Sequence, residues 1–242
     1  LGFVDDREDI GSVLLSAFAN LLEKYALDPS TIGRLEVGSE TLVDKSKSVK
    51  TTLMRLLGPD CTNVEGVTSV NACYGGTAAL LNSVAWVESR DWDGRYAVVL
   101  AGDVAVYEAI GEGGNTGKCG AARATQGCGA VAILVGPDAP LALDAGRRGS
   151  HAMDVYDFYK PRGDCEYALV DGALSQNCYL RSVDATYERY NTAALADGSH
   201  GGGAVGREHS MLRVLDAGCG DGRIALGLAR AGCDVVGVDV NA

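Results

Sequence analysis

Cys73 stands in SVNACYGGT, after a short apolar run and before a helix-forming stretch that starts near Thr77. A cysteine at such a strand-to-helix turn faces the helix N-terminus. Its free N–H groups and the positive end of the dipole stabilise a thiolate and draw a free-thiol pKa of about 8.5 toward reactivity. Gly75 and Gly76 keep the approach open to a ligand. The plainer role is a small buried residue at a tight turn. Two acids, Glu36 and Glu40, lie in LEVGSE, and spacing alone does not separate them. Either would need partial desolvation to act as a proton acceptor near neutral pH. A second constellation closes the chain. Asp216, Gly218 and Gly220 belong to a glycine loop, DAGCGDG, that follows a strand and opens a helix, and Asp239 ends the next strand. Glycines there let backbone approach a nucleotide, and an acid at that position binds ribose hydroxyls.

The elements that must position these groups are readable from periodicity. From Ile10 the apolar residues Val13, Leu14, Ala17, Phe18, Leu21, Leu22 and Tyr25 make a helical stripe that Asp28 and Pro29 end. Short apolar runs at 67–70, 96–101 and 130–135 read as buried strands, and 77–89, apolar nearly all round, reads as a helix buried on every side. Strand, buried helix and strand give an α/β layered fold. The stretch 197–211 is rich in Gly at its start and reads as a linker, which places a boundary near residue 200 between 1–196 and a strand–loop–helix–strand unit over 212–242.

Composition narrows the function. The net charge of −11 argues against nucleic acid as the main partner. No uninterrupted apolar run is long enough for a membrane span and no signal peptide is visible, so a cytoplasmic protein is expected. The eight Cys are scattered, without the clustered ligands of a zinc site, and read as reduced core thiols. Lys45, Lys47 and Lys50 read as a solvated lysine face, with approach to phosphates as the alternative.

GVTSVNACYGGTAALLNSVAWVES followed by WDGRYAVVLAGDVAVY resembles hydroxymethylglutaryl-CoA synthase, a thiolase-like condensing enzyme family. DDREDIGSVLLSAFANLLEKY, IGRLEVGSETLVDKSKSVKT, GCGAVAILVGPDAPLAL, DVYDFYKP and DGALSQNCYL resemble successive segments of the same family, over about residues 3–190. The resemblance implies that 1–196 is the N-terminal domain of such a synthase, one half of a thiolase-like fold, and that Cys73 is the nucleophile that takes the acetyl group of acetyl-CoA. It selects Glu40 over Glu36 as acid/base for condensation with acetoacetyl-CoA, in the mevalonate route to isoprenoids and sterols. It implies Thr125 and Ser175 as substrate contacts, and Asp103 and Tyr107, at the end of the YAVVLAGD strand, join them. No cofactor is required, and a homodimer is expected.

The sequence departs from that family in places. Residues 108–121 form a longer loop, Ala121 replaces an Asn, and Arg123-Ala124-Thr125-Gln126 stands for Arg-Pro-Thr-Gly. The family's catalytic His in Phe-His-Ser-Pro has no counterpart in His151, His200 or His209. The chain is therefore expected to be incomplete and weakly active or inactive, with an exposed apolar face where a second half would lie. Residues 212–242 resemble the opening unit of a class I S-adenosylmethionine-dependent methyltransferase. That resemblance implies S-adenosylmethionine at Asp216, Gly218, Gly220 and Asp239. A methyltransferase fusion and a non-catalytic binding module are the alternatives to the synthase.

Overall fold

The computed structural model describes residues 2–107, 125–143, 148–196, 213–217 and 234–238. The 108–121 loop, the 197–211 stretch, Gly218, Gly220 and Asp239 lie outside the described residues. The chain divides into two compact units, Leu1–Ala193 and Ala194–Ala242.

In the first unit, α1 (Ile10–Lys24) begins at Asp9, whose carboxylate accepts the Ser12 N–H while the Ser12 hydroxyl accepts the Asp9 N–H. This reciprocal cap satisfies donors the helix leaves unpaired. Ile10, Leu14, Phe18 and Leu21 recur at helical spacing and are all buried. They pack on a four-stranded sheet of order β2-β1-β3-β4, where β1 is Ile32–Gly38, β2 Thr68–Ser69, β3 Tyr96–Ala105 and β4 Gly127–Val135. β1 runs parallel to β2 and β3, and β4 runs antiparallel to β3. Leu35 and Val37 align with Val98 and Leu100 and face the α1 side with them, joined by Ala130, Ala132 and Leu134. α2 (Val49–Leu53) closes this core with Val49 and Leu53.

α3 (Gly75–Val87) packs on β1, β2 and β3 and buries Gly75, Ala79, Ser83 and Trp86. It covers one face only. Thr77, Asn82 and Ala85 are exposed, so the helix is not buried on every side as its composition predicts. Two strands differ from their predicted burial as well. In β4 the exposed Val131 and Ile133 alternate with residues facing α1, and Val67 and Val70 beside β2 are exposed, because no described element packs over them.

The central strand β1 has no continuous apolar run, because Arg34 and Glu36 interrupt it. Arg34 Nη2 lies 2.7 Å from Glu36 Oε1, and a second bond runs from Arg34 Nε to the same oxygen at 2.9 Å, so the strand carries a charge pair into the interior. Glu36 is fully buried. Lys50 departs from the solvated-face reading: it is buried, and its Nζ donates to Val64 O at 2.6 Å. Burial lowers its pKa, against Glu36 and Glu65.

A small hairpin of β5 (Phe158–Tyr159) and β6 (Leu169–Val170) precedes α4 (Gly172–Ala196). In the second unit, β7 (Arg213–Ala217) pairs in parallel with β8 (Asp234–Val238), and Asp216 lies opposite Gly237.

Candidate active site

The three parallel strands deliver the site at their carboxyl ends. Gly38 of β1 aligns with Ser69 of β2 and Ala101 of β3. Glu40 and Asp103 follow two residues beyond their paired positions, and Cys73 follows four beyond its own. Open α/β sheets bind ligands at this end.

Close packing brings the cysteine turn to β1. A Cβ at Gly38 would meet Gly76 N at 2.2 Å and Gly75 O at 2.4 Å, so only glycine lets the start of α3 approach the strand this closely. Ala72, just before the cysteine, takes φ +33°, a left-handed conformation that L residues rarely adopt. The Cys73 thiol thereby reaches Glu40 Oε1 at 4.0 Å.

The turn also corrects one expectation. The Tyr74 and Gly75 N–H groups donate to Asn71 O at 2.8 and 3.1 Å, so neither is free to stabilise a thiolate. Partial desolvation raises the Cys73 thiol pKa, Glu40 and Asp103 raise it further, a bond from its own backbone N–H opposes them, and Asp157 adds to the rise. The helix terminus does not win. Cys73 itself is exposed, open to an incoming reagent.

Asp103 grips the Glu40 turn. Its Oδ1 accepts the Glu40 N–H at 2.8 Å, the Thr41 N–H at 3.1 Å, and the Ser39 and Thr41 hydroxyls at 3.0 Å each. The Thr41 hydroxyl in turn accepts the Val104 N–H at 3.0 Å. At the other end of the residue, Lys160 Nζ donates to Glu40 O at 3.1 Å and to Glu166 Oε2 at 2.5 Å. Desolvation raises the Glu40 carboxyl pKa; the Lys160 charge opposes this, while Asp103 and Glu166 support it. A carboxyl so held is a better proton acceptor than an ordinary exposed one.

Glu40, Thr41, Asp103, Tyr107, Lys160 and Glu166 border a small open cleft together with neighbouring residues of β3 and the β5–β6 hairpin. Of the residues singled out from sequence, Glu40, Asp103 and Tyr107 therefore border this cleft, and Cys73 joins them through the 4.0 Å contact of its thiol with Glu40. Thr125 is exposed just before β4, and Ser175 is half-buried in the first turn of α4, its N–H on Asp171 O at 2.8 Å; neither borders the cleft. Lys160 and Glu166 were not singled out, although DVYDFYKP contains the lysine. His151 stands apart, with Nδ1 3.4 Å from Arg189 Nη1.

A family model described as the N-terminal part of hydroxymethylglutaryl-coenzyme A synthase matches residues 1–140, and one for the C-terminal part matches 141–209. The chain belongs to the hydroxymethylglutaryl-CoA synthase family. It is 57% identical to hydroxymethylglutaryl-CoA synthase erg13A of Aspergillus fumigatus over 190 residues, 78% of this chain and 38% of that protein. It is 52% identical to the human hydroxymethylglutaryl-CoA synthase named cytoplasmic, over 78% of this chain and 35% of that one. The chain thus spans well under half the length of these curated relatives. Among solved structures, MvaS in complex with 3-hydroxy-3-methylglutaryl coenzyme A is similar at 36% identity and a TM-score of 0.73, over 95% of this chain and 51% of that one.

These matches amend two readings. Residues 141–190 fall under the C-terminal family model, whose match runs to 209 and takes in most of the glycine-rich stretch. The methyltransferase resemblance of 212–242, and with it S-adenosylmethionine, finds no support: the two matching family models are synthase models, and the second ends at residue 209. The parallel pairing of β7 and β8 is a strand arrangement common to many α/β folds and specifies no ligand.

Proposed function

We propose that this chain carries the acetyl-transfer and proton-abstraction groups of hydroxymethylglutaryl-CoA synthesis, with acetyl-CoA and acetoacetyl-CoA as substrates. The observation that carries this reading is the 4.0 Å approach of the Cys73 thiol to Glu40 at the strand ends, in a member of this family. Cys73 Sγ attacks the acetyl-CoA carbonyl; its proton passes through Glu40 to the departing CoA thiolate, and an acetyl thioester remains on the enzyme. A thioester keeps the methyl protons more acidic than an ester would. Glu40, again a carboxylate, removes one of them, the enolate carbon bonds to the ketone carbon of acetoacetyl-CoA, and the alkoxide that forms takes the proton back from Glu40. Hydrolysis of the enzyme thioester then frees the product.

Tyr107 borders the cleft where the acyl groups would lie, and Thr125 and Ser175 are proposed as contacts farther along the substrates. The homodimer of the family is proposed here too. Cytoplasmic placement is proposed from the human relative's name; among the described residues no helix is long and apolar enough to cross a membrane.

Incubation with acetyl-CoA followed by mass spectrometry tests the reading. A single acetyl adduct on Cys73, absent from Cys73→Ser, is expected. Even labelling of the eight cysteines would refute an acyl-accepting site.

A further inference from the structure

We infer that Lys160, braced by Glu166, is a positioning residue that pins the main-chain carbonyl of Glu40 and so complements the Asp103 grip on its amide. The inference rests on Glu40 being the acid/base proposed above. Lys160 directly follows β5, and Glu166 lies in the loop leading back to β6, so one short hairpin supplies both charges. The lysine is 120 residues from Glu40 in sequence, and the hairpin brings the two together. Its ammonium has three N–H donors, and two are accounted for by Glu40 O and Glu166 Oε2.

Side-chain exposure is 22% for Lys160 and 39% for Glu166, so the pair sits at the cleft wall with solvent on one side. A surface pair of this kind contributes little to stability. Its placement matters more than its energy. With the amide held by a carboxylate and the carbonyl held by an ammonium, the Glu40 backbone is fixed by charge-assisted bonds at both ends.

Lys160 also acts on the carboxyl of the same residue through space. Among the described residues, the charged and titratable groups that face Glu40 are Asp103 from β3, Lys160 and Glu166 from the hairpin, and the Cys73 thiol from the turn before α3. Lys160 is the only cation in that described set. Without it, desolvation and two carboxylates act on Glu40 unopposed.

The test is a carbon NMR titration of the 242-residue chain labelled with side-chain carboxyl ¹³C glutamate, the Glu40 signal being assigned by its loss in Glu40→Gln. In Lys160→Met the Glu40 midpoint should move to higher pH, and in Lys160→Arg it should return toward the parent value. A structural role alone would not produce that ordered shift. Lys160→Gln, which keeps a hydrogen-bond donor but no charge, serves as a second neutral variant should the methionine chain fail to fold. An unchanged midpoint in a folded neutral variant overturns the inference. Acetyl transfer to Cys73 in the parent is scored separately: a chain that refuses the acetyl group yet shows the shift sinks the acyl-transfer reading and leaves the Lys160 contact standing.

Discussion

Asp103 Oδ1 accepts the main-chain N–H of Glu40 at 2.8 Å, across two neighbouring parallel strands. One carboxylate oxygen thus receives four donors from Ser39, Glu40 and Thr41, and the turn that carries the acid is built around it.

Replacing Asp103 with Ala should leave the Glu40 amide without its acceptor and the Thr41 amide with the Ser39 hydroxyl at 3.1 Å alone, costing about 1–3 kcal/mol of stability by urea denaturation. Asp103→Asn keeps one accepting oxygen and should recover part of that loss. Equal stability of all three proteins would show that the turn stands without the aspartate.

Glu40→Gln should make Cys73 easier to ionise, because a negative neighbour is removed from the thiol. The pH midpoint for alkylation by iodoacetamide is expected to fall relative to the parent. A midpoint that stays put or rises would contradict the electrostatic reading. The linkage has a definite sign. Both Glu40 and Cys73 have raised values in the fold, so the folded chain binds their protons more tightly than the unfolded one. Their contribution to stability is present below the unfolded values and is lost as pH rises through the folded ones.

Arg34→Met should destabilise the chain by about 3–5 kcal/mol, because it strands a fully buried Glu36 carboxylate. Replacing both residues with apolar side chains of similar volume should recover most of the loss. Denaturant midpoints of the single and double variants measure this, and equal losses in both would show that the pair is not what the interior resents.

In Gly38→Ala the added methyl meets main-chain atoms of Gly75 and Gly76 rather than a flexible side chain. The start of α3 must move, and Cys73 with it. About 1–3 kcal/mol of destabilisation is expected, together with loss of the acetyl adduct in the mass-spectrometric assay. Full acetylation in this variant would mean that the close approach is dispensable.

Much of the scaffold can be read from the chain because its signals are local. The Ile10 stripe and the YAVVLA and AVAILV runs each announce one element, and α1, β3 and β4 follow them. β1 escapes the same reading, since Arg34 and Glu36 look like surface charges until each is seen to neutralise the other. α4 escapes too, because a helix with many polar residues has no apolar stripe to betray it. At the site, Cys73 is visible from its turn and Glu40 from resemblance alone. Asp103 is visible as a position but not in its bonding, which depends on the register of β1 with β3. Lys160 needs the hairpin.

The double hold on Glu40 has a kinetic corollary. With its amide and carbonyl both anchored, the residue keeps its side-chain torsions as its main freedom, like a boom on a fixed post. Rotamer changes of that kind take picoseconds to nanoseconds, whereas ordering a loop takes up to microseconds. Typical enzymes turn over about ten times per second. On the acyl-transfer reading proposed above, swinging the carboxylate from the sulfur to a methyl group bound on it would then be far faster than turnover, and a slow step would lie in bond making or in the traffic of CoA thioesters.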